Sequence, residues 1–102
     1  MTTLLTVGGT WRTWPVATLT ALAGTSVKVT DELGRYVLVE RAFSAGDKVV
    51  MDFADETVTV DGEDAVADVA VESTFFPLEP GAHTLTFSGC SAHAVEWAER
   101  WL

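Results

Sequence analysis

The chain reads as an all-β protein, an antiparallel β-sandwich or barrel of about eight or nine short strands. Three observations predict this. Segments rich in Val, Thr and aromatic residues alternate apolar and polar positions with a period of two. Glycine- and aspartate-marked turns interrupt them about every ten residues. No helix long enough for a parallel crossover is evident. The 102 residues fit one domain, 1–102, and the 48% apolar content suffices for a core without metal or disulfide.

Leu4–Val7 is the first strand, ended by Gly8-Gly9. Trp14–Thr20 is the second, with Pro15 near its start, where a missing N–H suits an edge or a first position. Ser26–Asp31 sets Val27 and Val29 against Lys28 and Thr30, and Asp31-Glu32-Leu33-Gly34 turns it into Arg35–Glu40. After Ala45-Gly46-Asp47, Lys48–Phe53 puts Val49, Met51 and Phe53 on one face. Ala54-Asp55-Glu56 leads to Thr57–Val60, and Asp61-Gly62 is a strong turn dipeptide.

Ala65–Glu72 is a weaker strand with Val69 and Val71 as its apolar pair. Phe75–Gly81 holds two prolines and reads as an apolar loop plugged into the core. His83–Ser88 alternates again, with Leu85 and Phe87 inward. The last segment fits a strand through Val95, Trp97 and Trp101, and also a helix through Ala94, Trp97, Ala98 and Trp101. The strand is preferred.

Charge narrows the function. The net charge is −9, and residues 51–102 carry one basic side chain, Arg100, against eleven acidic ones. Such a surface repels phosphate backbones and anionic membranes, so neither nucleic acid nor membrane is expected as a partner. No run of about 18 apolar residues could span a bilayer, and the N-terminus lacks the pattern of a secretory signal, so cytoplasmic synthesis is expected. Cys90 is the sole cysteine, so the fold cannot rely on an internal disulfide.

Candidate chemistry is thin. Cys90, His93 and Glu96 are evenly spaced, but a nucleophile, base and orienting acid must converge in space, and on a strand Cys90 and His93 point to opposite faces. Adding His83 gives no paired zinc spacing. Asp61-Gly62-Glu63-Asp64, with Asp55 and Glu56, lacks the alternating oxygen pattern of a calcium loop and suits solvated hairpin tips. Asp52 and Glu72 have no fixed separation that would make a glycosidase pair. Gly8-Gly9-Thr10 lacks the lysine and helix of a phosphate loop. No catalytic residue, metal or cofactor is expected. Trp11, Trp14, Trp97 and Trp101 are the candidate partner-binding residues. Two should be buried and at least one exposed, with protein contact favoured over sugar stacking.

The order of features resembles a known family. Gly9-Thr10 followed by Trp14-Pro15-Val16, then Gly46-Asp47-Lys48-Val49-Val50-Met51-Asp52, then Thr57-Val58-Thr59-Val60-Asp61-Gly62 is similar to the galectin-like C-terminal domain of siphophage distal tail proteins. The most specific block is Ser73-Thr74-Phe75-Phe76-Pro77-Leu78-Glu79-Pro80-Gly81-Ala82-His83-Thr84-Leu85, and Glu99-Arg100-Trp101-Leu102 resembles the closing strand. The resemblance implies a galectin-like, jelly-roll-like sandwich acting as a bacteriophage virion structural protein. Its expected partners are other virion proteins of tail, baseplate or capsid, with a homo-oligomer within the particle. A capsid decoration protein and a carbohydrate-binding domain for host attachment are the alternatives. Two departures stand out. The ring-building N-terminal domain of a full distal tail protein is not carried over, and His83 replaces the usual Asn after the Pro-Gly turn. The sugar-binding residue set of true galectins is not seen, so the likeness concerns fold.

Overall fold

Strict alternation gives each strand one apolar side, and such strands are stable only when two layers close over each other. The computed structural model describes residues 2–100, and it shows that closure. Among the described residues nine strands form: β1 (Thr2–Val7), β2 (Val16–Ala21), β3 (Gly24–Thr30), β4 (Tyr36–Phe43), β5 (Lys48–Asp52), β6 (Thr57–Val60), β7 (Glu63–Asp64), β8 (Gly81–Ser88) and β9 (Cys90–Glu96). They build a four-stranded sheet in the order β1-β8-β3-β4 and a five-stranded sheet in the order β7-β6-β5-β2-β9. All strand pairs are antiparallel.

The core lies between the layers. Val27, Val29, Val37 and Val39 of one sheet and Leu19, Val49, Met51 and Val58 of the other are fully buried. Each contributes roughly 1.5–3 kcal/mol relative to an exposed side chain. Phe53, Phe76 and Leu78, which lie outside the strands, plug one end of the core, with Phe53 edge-on to Phe75 at 5.4 Å and Phe76 at 4.8 Å.

The strands run between two unlike ends. At the hairpin end, β4 turns into β5, β6 into β7 and β8 into β9 through short connections. Asp61 (φ 52) and Gly62 (φ 86) are both left-handed, the conformation that a two-residue hairpin turn with right-twisting strands requires. The loop end collects residues 8–15, 31–35, 53–56, the approach to β8, and residues 97–100.

Three expectations need correction. Ala65–Glu72 is not a strand. The Asp64 carboxylate accepts the Val66 N–H at 2.9 Å and starts a single turn of 3₁₀ helix, Val66–Asp68. Val69 alone then bridges to Val39, and the chain crosses over to the other sheet. The second correction concerns β9, where the register against β2 shifts by one between Thr20 and Ala21. A one-residue slip flips side-chain parity, so Cys90 opposite Ala21 and His93 opposite Leu19 both face inward. The opposite-face expectation fails for that reason. Third, the closing strand stops at Glu96; Trp97 lies beyond it and Trp101 lies outside the described residues. The strand reading of this segment, rather than the helical one, holds through β9.

Candidate protein-interaction site at the loop end

The loop end is assembled by bonds between residues far apart in sequence. The Arg100 carbonyl accepts the N–H groups of Thr10 at 2.9 Å and Trp11 at 3.1 Å. The Gly8 N–H donates to the Glu99 carboxylate at 2.7 Å. Gly9 sits at φ +89, and a Cβ there would lie 2.3 Å from the Arg100 carbonyl oxygen, so only glycine lets the two segments approach. Thr13 and Leu78 exchange both main-chain bonds, at 2.9 and 2.7 Å, and the Phe53 N–H donates to the Pro15 carbonyl at 3.1 Å.

This scaffold fixes the tryptophans. Val16 at the start of β2 faces Glu96 at the end of β9, so Trp14 and Trp97 emerge at the same end. Both are half-buried and pack against the core. Trp11 is 43% exposed, with the Arg12 guanidinium 5.4 Å from its ring centre. Arg12 also pairs with Glu79 at 3.5 Å. The arrangement therefore presents an exposed indole beside one cation, Arg12, at the end of the sandwich where the half-buried Trp14 and Trp97 also lie. An amphipathic ring with little rotamer entropy to lose is suited to anchoring a protein partner.

Two polar networks stiffen the neighbouring hairpin. Asp31, 6% exposed, accepts the N–H groups of Leu33 (3.0 Å) and Arg35 (2.8 Å) and binds the Arg35 side chain at 2.7 Å. His83 lies between the Glu79 carbonyl, 2.6 Å from Nε2, and the Glu32 carboxylate, 3.1 Å from Nδ1. Both are acceptors, so the ring makes both bonds only by donating from each nitrogen. Glu32 also accepts the Thr84 N–H at 3.0 Å. His83 thus ties the Pro80-Gly81 turn to the β3–β4 hairpin. The Asp-x-x-Gly-Arg spacing was the available signal for the first network; the second joins residues 51 apart and leaves none.

The residues weighed for chemistry do not converge. Cys90 is buried, which pushes its thiol above the usual range and keeps it un-ionised. His93 stacks on Phe87 at 4.1 Å and contacts the Thr3 hydroxyl across the sandwich. Glu96 is exposed beside Val16. The acidic side chains mostly cap turns: Asp52 accepts from Ala54 and Asp55, Asp61 from Lys48, and Asp47 from Ser44. Among the described residues no group of three His, Cys, Asp or Glu gathers where it could hold a metal, and no pocket opens.

No curated protein and no solved structure matches the chain. The family described as the siphovirus-type tail component, C-terminal domain, matches residues 8–101, which includes every strand except β1. The chain belongs to that siphovirus-type tail component family.

Proposed function

We propose that this chain is a virion structural module of a tailed bacteriophage, a galectin-like sandwich of residues 1–102 at the tail or baseplate that acts through protein–protein contacts and catalyses no reaction. The family match over residues 8–101 carries the tail assignment. The exposed Trp11, beside Arg12 and bonded through its main chain to Arg100, supports the loop end as the contact surface, with the half-buried Trp14 and Trp97 at the same end. Trp101 belongs to the same proposed set. Other virion proteins are the partners.

The test is a reconstruction of purified virions, paired with phage carrying Trp11→Ala. Density for the sandwich at the tail or baseplate, with its loop end against a neighbour, is the expected result. Trp11→Ala should lower incorporation by about tenfold or more while the isolated protein melts as before, since removal of a central aromatic anchor typically weakens an interface by at least 1–2 kcal/mol. Density on the capsid would replace this reading with a decoration protein. Binding of the isolated chain to cell-wall glycans, lost in Trp11→Ala, would replace it with host attachment.

A further inference from the structure

Of the four strand edges in the two sheets, three are protected. β4 is covered by the crossover: the Ala70 and Thr74 N–H groups donate to the carbonyls of Leu38 (2.9 Å) and Tyr36 (2.8 Å), and Ser73 Oγ accepts the Leu38 N–H at 2.9 Å. β7 is two residues long, and both are acidic. β9 carries a bulge at Ser91, where its register against β2 shifts, and ends in Glu96. Shortness, charge, cover and bulges are the usual ways to keep an edge from pairing with another chain.

β1 has none of them. It pairs with β8 alone, in unbroken register from Thr2↔Thr86 to Val7↔Gly81. Among the described residues no backbone group bonds to its other side. Its sequence, Thr-Thr-Leu-Leu-Thr-Val, contains no charge and no proline, and Leu4 on its outer face is 80% exposed. The contact between Thr3 and His93 holds the strand from within and leaves that edge open.

Charge identifies the occupant. A chain of net charge −9 repels its own copies over most of its surface. β4, β7 and β9 all bring carboxylates to their edges, whereas β1 has no ionisable side chain and β8 beside it has only His83. Two copies can therefore meet along β1 with their acidic segments turned away. A basic partner would be drawn elsewhere. An antiparallel pair of identical strands is also self-complementary about a two-fold axis, so the contact closes and does not propagate. We propose that β1 is a self-pairing edge, through which a second copy of this chain extends the four-stranded sheet into one of eight strands. The proposal deepens the virion reading, in which high local concentration would make a weak pairing effective, and it rests on that reading for its purpose alone.

The test is sedimentation of the intact protein from about 10 μM to about 1 mM, the range expected of an interface this small. Dimer should accumulate with concentration and increase with salt, which screens the residual repulsion. Leu4→Lys, at an exposed position, should lower the association constant about tenfold or more without changing the melting temperature. Thr6→Lys, also exposed, serves if that variant folds poorly. Amide exchange in β1 should slow as dimer forms. A monomer throughout, or a dimer indifferent to both lysines with β1 amides unprotected, overturns the pairing. A strictly monomeric chain still found in tails would sink this inference alone, and a β1 dimer absent from virions would sink only the tail reading.

Discussion

The hairpin end and the loop end of the sandwich both combine local and long-range bonds, and they differ in what the long-range bonds join. At the hairpin end Asp47 accepts the Ser44 N–H three residues away at 2.9 Å, Gly46 and Gly62 supply left-handed backbone with open space around them, and longer-range bonds from Gly46 to Ala21 and from Leu22 to Gly89 tie the turns to neighbouring strand ends. At the loop end the bonds join Gly8 to Glu99, Trp11 to Arg100, Thr13 to Leu78 and His83 to Glu32. A bond such as that of Asp47 to Ser44 forms as soon as the local chain bends. Bonds such as those of Gly8 to Glu99 and Trp11 to Arg100 exist only after distant segments have docked, because loop closure must be offset before such contacts contribute. A surface built the second way is rigid in the folded protein, as a binding site should be, and it depends on the whole fold.

Substitutions at the two ends should show that difference. The largest effect is expected from Phe76→Ala, which empties the plug under the loop end; about 3–5 kcal/mol should be lost in denaturant unfolding. Gly9→Ala should follow at roughly 2–4 kcal/mol, because it adds left-handed strain and drives the Arg100 segment away. Faster proteolysis of residues 97–100 is the accompanying sign. Gly46→Ala, at φ +94 but with nothing near the added methyl, should cost only about 1 kcal/mol and leave the tail docked. An equal effect of the two glycine changes would erase the distinction between the ends. The smallest effect should come from His83→Asn, which restores the residue usual after the Pro-Gly turn. One hydrogen bond of the pair is lost, about 0.5–1.5 kcal/mol, and exchange of the Thr84 amide should quicken.

Much of the fold was legible in particular residues. Val27 and Val29 against Lys28 and Thr30 announced both a strand and its buried face, and Asp61-Gly62 announced a turn that its two positive φ angles bear out. The apolar loop reading of Phe75–Gly81 holds, with Phe76 and Leu78 fully buried and Phe75 half-buried against Phe53. Ala65–Glu72 misled because Val69 and Val71 alternate as a strand would, yet only Val69 finds a partner and Val71 is fully exposed. The inward turn of His93 was hidden because a bulge is a property of the pairing, not of either strand.

The amino-acid order by itself determined the strand-and-turn rhythm, the apolar face of each strand and the absence of any motif for bond-breaking chemistry. Those features depend on side-chain identity within a few residues of one another. Only the tertiary structure decided which strands pair, that β4 is covered while β1 is left open, and that Trp11, Trp14 and Trp97 lie at one end. Sheet pairing uses the N–H and C=O groups that nearly every residue carries, so its partners leave no mark in the sequence.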